Sequence, residues 1–327
     1  MLGKIHGWRR HLADRVALDD YKPPPLSGLQ LMITPQECAA LSCFAERAWS
    51  SGAARNGLII DAGCFVGAST VAFAQGLERS QLSEKARAKR IISYDLFYAS
   101  QSIIDLWLPD AGLSGGDSFE PIFQHNILPY THYIDVRSGD IIQASAPSRP
   151  IAILFVDVLW STDSTVHFGR TFYPMLERRR SVLIHQDFVY PYYPWVILSM
   201  GMLMNQFSIS RNIPHSSLVF NVERSVRPAD IDDPRNLSLS RGEAIFDHFI
   251  NQLDGWGKGA LAISKSLFFG SRGELGRARK IVEEVWLKCS DQPLVMQYRP
   301  TIEKVLLRAE QEGTPYSAEQ IVGKVPK

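Results

Sequence analysis

The chain has 327 residues, 45% of them hydrophobic and 21% charged, enough for one large α/β domain and a smaller companion. Lys and Arg total 35 against 34 Asp and Glu, so a net charge of +1 exerts no global pull toward nucleic acid or an anionic membrane. Cys38, Cys43, Cys64 and Cys289 contain no C-x-x-C pair, so neither a zinc site nor a disulfide framework follows. The N-terminus lacks the apolar run of a signal peptide, and the most apolar stretch, 195–204, is too short to span a bilayer. The expectation is a cytoplasmic protein that acts on a small molecule, without nucleic acid or membrane as partner.

Residues 1–33 read as a polar arm ending in Tyr21-Lys22-Pro23-Pro24-Pro25, a stiff extended linker. Thr34-Pro35-Gln36-Glu37 then starts a helix, with Thr34 as N-cap and Glu37 as the return partner of a capping box. A strand at 57–61 is apolar on both faces, as a central parallel strand should be, and runs through glycines into a helix at 69–77. A polar stretch, 78–90, leads to a strand at 91–94 that ends in Asp95. Past a glycine-containing connection, a helix near 119–128 precedes a third strand at 132–136, followed by Gly139-Asp140. The fourth strand, 151–156, ends in Asp157, and a helix at 164–176 connects it to a fifth at 181–184, which ends in His185-Gln186-Asp187. A helical segment at 193–205 is followed by strands at 207–210 and 217–222, separated by a loop with Asn212 and Pro214.

Five strand–helix repeats and a closing hairpin predict an α/β fold: a Rossmann-like, doubly wound, seven-stranded sheet with a terminal antiparallel hairpin. The polar, Asp- and Pro-rich stretch 225–241 reads as a linker. Helices at 244–253, 260–269, 275–288 and 301–309 make the rest an all-helical segment. The expected organisation is an arm (1–33), a ligand-binding domain (34–224), the linker (225–241) and the helical segment (242–327), which packs on that domain or on another subunit of a homo-oligomer.

The chemistry concentrates at strand ends. In Asp61-Ala62-Gly63-Cys64-Phe65-Val66-Gly67-Ala68-Ser69-Thr70, the two glycines permit a tight turn, and the next helix starts with free N–H groups facing whatever is bound. Neither G-x-G-x-x-G nor G-x-x-x-x-G-K-[ST] is present, which argues against nicotinamide and nucleoside triphosphate loops.

This stretch resembles the first motif of class I S-adenosylmethionine-dependent methyltransferases. The resemblance implies that Asp61, Gly63, Gly67 and Ser69 belong to the cofactor loop. It further implies that Asp95 holds the ribose hydroxyls and that Gly139-Asp140 reaches the adenine. The interval from Asp61 to Asp95 exceeds the approximately 20 residues of a compact dinucleotide fold, and the polar stretch 78–90 absorbs the excess. Within that family, Phe155-Val156-Asp157, Tyr173-Pro174-x-Leu176 and Ile184-His185-Gln186-Asp187-Phe188 resemble the macrocin/mycinamicin-type sugar O-methyltransferases. There, aspartates at these places hold a divalent metal that orients sugar hydroxyls, which implies Asp157 and Asp187 as ligands of a Mg²⁺. The chain departs from that pattern where Gln186 replaces the first acid of the pair and Glu177-Arg178-Arg179-Arg180 replaces a glycine-rich turn.

The expected activity is methylation of a hydroxyl on a sugar or other hydroxylated natural product. Asp157, His185 and Asp187 address the acceptor, with His185 as a general-base candidate of near-neutral unperturbed pKa. Strand alternation would put His185 and Asp187 on one face and Gln186 on the other. Trp160, Tyr190, Tyr192, Tyr193 and Trp195 are either an aromatic wall or core. Two further readings remain: a nicotinamide-dependent oxidoreductase on the same sheet, and a non-catalytic methyltransferase-like binding protein.

Overall fold

The computed structural model describes residues 11–18, 21–22, 26, 28–29, 31–49, 56–213 and 217–316. Residues 1–10 and Pro23–Pro25 of the expected arm, Pro214 of the expected hairpin loop, and 317–327 lie outside them. Along the chain, α1 (Leu12–Arg15) and α2 (Pro35–Arg47) precede β1 (Leu58–Ala62), α3 (Ala68–Glu78), α4 (Glu84–Arg87) and β2 (Ile91–Asp95). Then come α5 (Gln101–Trp107), α6 (Glu120–Asn126), β3 (Ile134–Ser138), β4 (Ile151–Val156), α7 (Thr162–Phe172) and β5 (Val182–His185). Helix α8 (Pro194–Met202) leads to β6 (Phe207–Asn212) and β7 (Leu218–Val222), and the chain finishes with α9 (Leu239–Ile250), α10 (Gly255–Ser271), α11 (Leu275–Lys288), α12 (Pro293–Met296) and α13 (Arg299–Glu312).

The strands form one sheet in the order β3-β2-β1-β4-β5-β7-β6. The first five are parallel, and β7 pairs antiparallel with both β5 and β6. This is the expected doubly wound sheet with a terminal antiparallel hairpin and a C-terminal helical segment. The order reverses between β1 and β4, so the crevice at their carboxyl ends is the switch point where open α/β sheets bind ligands.

Every residue of β1 and β4 is buried because helices cover both faces. On one face Ile59, Ile153 and Ile184 pack with Leu41 and Phe44 of α2 and Phe73 of α3. On the other, Leu154, Leu183 and Phe220 share a core with Phe168 of α7, Ile197 of α8, Phe246 of α9 and Leu261 of α10. The C-terminal helices thus complete the sheet's second hydrophobic layer, where each buried Phe or Leu contributes roughly 1.5–3 kcal/mol.

Local chemistry sets the entries. Thr34 Oγ1 accepts from Glu37 N (3.2 Å) and Glu37 Oε2 accepts from Thr34 N (2.8 Å), closing the expected capping box of α2. Gly67, at φ +100°, is the N-cap of α3. The third strand lies two residues beyond its expected span, because a 3₁₀ turn at Leu128–Tyr130 carries residues 131–133 round before pairing with β2 begins. The stretch 225–241 contains two 3₁₀ turns and buries Val226 and Ile231, and the Arg170 guanidinium donates to Ile231 O (2.9 Å). Among the described residues, no helix is long and apolar enough to cross a membrane.

Candidate functional site

The turn after β1 is built around Gly63, at φ +92°. A Cβ there would stand 2.3 Å from the Asp157 carbonyl oxygen at the end of β4. Gly63 N donates to Tyr94 O (2.8 Å), and Asp157 N donates to Ala62 O (2.7 Å), so the β2, β1 and β4 ends are laced together. A side chain at position 63 would therefore require both a strained backbone and a displaced strand.

Asp95 is the hub of the next layer. Its Oδ2 accepts from Phe65 N (2.8 Å) and its Oδ1 from Phe97 N (2.8 Å), while its backbone carbonyl accepts from Gly139 N (2.9 Å). Phe65 and Phe97 both adopt positive φ, 45° and 59°, and these two bonds help hold that uncommon geometry. Burial pushes the Asp95 carboxyl up, against the backbone N–H groups of Phe97, Phe65 and Leu96 that pull it down. Three backbone N–H groups on two oxygens leave the carboxylate with remaining acceptor capacity for a ligand hydroxyl.

Gly63, Asp95 and Asp140 thus converge on the carboxyl ends of β1, β2 and β3. Asp140 is exposed, and its Oδ1 accepts from Ile142 N (3.1 Å) as the cap of a 3₁₀ turn at Ile141–Gln143. Two residues not singled out from the sequence follow these acids: Leu96 is 50% exposed and Ile142 39%. Apolar side chains left in water just past the neighbouring β2 and β3 ends offer surface to a flat apolar ring. Their sequence signal is an apolar residue within two or three positions after each strand-end acid.

Asp61 and Ser69 are placed differently. Asp61 is fully buried; its Oδ2 accepts from Ser69 Oγ (3.0 Å) and from Thr70 Oγ1, which pins the first turn of α3 to β1. Burial pushes the Asp61 carboxyl up to about 7. Its Oδ1 is buried without a hydrogen-bond partner among the described residues, an acceptor that an ammonium group of a ligand would satisfy. The Ser69 hydroxyl faces Asp61 and acts through it.

At the β4 and β5 ends the same residue types are closed in. His185 is buried, with Nδ1 2.9 Å from Gln186 O, and burial lowers its pKa to about 4. Nδ1–H donating to that carbonyl leaves Nε2 as the lone-pair nitrogen, and Nε2 has no partner among the described residues. His185, Asp157 and Asp187 line one cavity of about 10 Å³, barely room for a water. Strand alternation fails past His185, because β5 ends there and Asp187 turns into φ +56°. Gln186 and Asp187 consequently line this cavity together. Of the aromatic wall, Tyr192, Tyr193 and Trp195 are buried, Trp195 Nε1 donating to Leu159 O (2.8 Å), whereas Tyr190 is half-buried and Trp160 exposed.

No all-protein metal cage is assembled at the β4 and β5 ends among the described residues. Among the described residues no group of three or more His, Cys, Asp or Glu side chains could hold an ion. Asp157 and Asp187 supply two hard oxygen ligands, so a Mg²⁺ there would complete its shell with water and substrate oxygens. The β1–β3 ends suit S-adenosylmethionine: the Asp95 carboxylate, the exposed apolar side chains of Leu96 and Ile142, and the N-terminus of α3 all lie at that edge of the sheet.

No protein-family model and no curated protein matches the chain. Solved structures similar to it include a TDP-rhamnose 3'-O-methyltransferase of calicheamicin biosynthesis (15% identity, 58% of this chain and 87% of that one, TM-score 0.38). Others are magnesium protoporphyrin IX methyltransferase from Synechocystis with bound S-adenosylmethionine (16%, 58% and 80%, 0.33) and human N-acetylserotonin methyltransferase (10%, 58% and 56%, 0.32). Identities this low with TM-scores below 0.5 transfer neither activity nor substrate.

Proposed function

We propose that this chain is an S-adenosylmethionine-dependent methyltransferase that methylates a hydroxyl group of a sugar or another small hydroxylated molecule. The observation that carries the reading is Asp95. One carboxylate orders the Phe65 turn and the Phe97 turn, its own backbone anchors Gly139, and the exposed apolar side chains of Leu96 and Ile142 lie at the same edge of the sheet. In this reading Asp95 holds the ribose hydroxyls, Leu96 and Ile142 flank the adenine, and Gly63 keeps the turn low enough for the rest of the cofactor. Gly67 and the first turn of α3 shape the methionine end, with Asp61 set by Ser69 and Thr70.

Bound there, the cofactor supplies an electrophilic methyl group. The protein's part is to hold an acceptor oxygen in line with it and to take a proton from that oxygen. Asp157 follows β4, its backbone carbonyl packed against the Gly63 turn, Asp187 follows β5, and His185, with a neutral lone pair on Nε2, lines the same small cavity as both. Isothermal titration of the folded protein with S-adenosylhomocysteine tests the reading, with saturable one-to-one binding expected; absence of binding heat would falsify it.

A second reading, a non-catalytic methyltransferase-like binding protein, is favoured by the sealed cavity around His185. Release of S-adenosylhomocysteine from S-adenosylmethionine in the presence of a panel of sugars and phenols separates the two. Turnover with any acceptor removes the non-catalytic reading.

A further inference from the structure

A second cavity, of about 250 Å³, lies where the carboxyl end of β5 meets the start of α2 and the C-terminal helices. Its walls include the Tyr190, Trp256 and Tyr298 rings, with Glu37, Gln186 and Asp187 between them. The described residues lining it include no Lys, Arg or His. At this size, below the roughly 300–1,000 Å³ of drug-sized sites, it takes a head group rather than a whole ligand.

Tyr190 and Tyr298 stand edge to face, ring centroids 6.2 Å apart at 81°, which leaves faces of different orientation around one space. Asp187 lines the same cavity as the Tyr190 and Tyr298 rings, so an acid and aromatic faces border one space. Aromatic faces and carboxylates attract the same partner, a cation, and neither attracts an anion.

Gln186 supplies an independent indication. It is 7% exposed and borders both this cavity and the small one at His185. The Ser217 hydroxyl lies 2.5 Å from Glu37 Oε1 and also against the Gln186 side-chain amide. A hydroxyl has one proton. If Ser217 donates it to Glu37, Gln186 must turn its N–H to the Ser217 oxygen. The carbonyl oxygen is then the amide atom left over, and the negative end of its dipole favours a cation over an anion nearby.

We infer that the cavity bounded by Tyr190, Trp256, Tyr298, Glu37, Gln186 and Asp187 binds a cationic amine or quaternary ammonium head group. As a binding site it stands on its own lining. Its further role, seating an amine-bearing methyl acceptor whose hydroxyl extends past Gln186 and Asp187 toward Asp157, rests on the methyltransferase reading above.

The test is calorimetric titration of the full chain with choline and with its neutral isostere 3,3-dimethylbutan-1-ol, alongside S-adenosylhomocysteine. Choline is expected to bind saturably and at least 10-fold more tightly than the isostere. Asp187→Asn and Trp256→Leu are each expected to weaken choline at least 10-fold with circular dichroism retained, and Trp256→Leu to leave S-adenosylhomocysteine affinity unchanged. Equal affinity for both probes, no binding of choline, or indifference to both substitutions overturns the inference. Choline binding without S-adenosylhomocysteine binding leaves the amine site standing and removes the methyltransferase role. The reverse result removes the amine site alone.

Discussion

The two ends of the sheet's carboxyl edge carry similar residues in opposite states. At β1–β3, Asp95 and Asp140 accept from backbone N–H groups of turns, and Leu96 and Ile142 remain in water beside them. At β4–β5, His185 and Gln186 are buried, and the C-terminal helices bring Trp256 and Tyr298 down over Asp187. The first region is a crevice made by strand ends alone. The second is a cavity that exists only because a distant part of the chain roofs it, so its shape is coupled to the packing of α10 and α13.

The largest expected effect separates the regions at their seam. Gly63→Ala places a Cβ 2.3 Å from the Asp157 carbonyl oxygen at positive φ, and should destabilise the fold by about 3–5 kcal/mol in urea unfolding. An unchanged midpoint would show that the β1 and β4 ends are not tied through this turn.

Acid–base behaviour sharpens the contrast. His185, lowered to about 4, is neutral in the fold and charged when unfolded between pH 4 and 6.5. The unfolded state then binds more protons, so stability rises with pH through that window. Asp61, raised to about 7, is protonated in the fold but ionised when unfolded between pH 3.8 and 7, so its contribution falls as pH rises. The windows correspond to at most about 3 kcal/mol for His185 and about 4 kcal/mol for Asp61, and the two offset each other between pH 4 and 6.5. Denaturant unfolding in His185→Gln should therefore show stability falling with pH, and Asp61→Asn should show it rising. Parallel profiles in the two variants would contradict the placement of both groups.

Asp95→Asn keeps one acceptor oxygen and loses the charge. It is expected to weaken S-adenosylhomocysteine about 10- to 100-fold by calorimetry, about 1.4–2.8 kcal/mol. Wild-type affinity in this variant would remove Asp95 from the cofactor's contacts. Leu96→Ser should cost least, about 5-fold in the same titration, near 1 kcal/mol for lost apolar contact; tighter binding would place Leu96 outside the cofactor's contacts.

The sheet was legible because its signals are local. Short apolar runs ended by Asp95, Asp157 or His185 marked strands, and the Thr34 capping box closed as its spacing required. Legibility failed where position depended on partners. The β3 start moved with a 3₁₀ turn, and the linker-like stretch 225–241 buries Val226 and Ile231 in a core shared with α7 and α9. Glu37 read as a helix cap alone, and only the fold set its second oxygen against Ser217, 180 residues away.

What the residues determine unaided is the order of strands and helices, the sharp turn at Gly63 and Gly67, and acids at strand tips, since periodicity, φ preference and capping act over a few residues. Which of those acids face a ligand was decided by tertiary structure. Asp61 went inside to hold α3, Asp95 took two turns, and His185 was sealed, because burial and hydrogen-bond partners come from segments far apart in the chain. The aromatic and acidic cavity at Asp187 belongs wholly to that second class, as Trp256 and Tyr298 reach it from helices with no sequence link to β5.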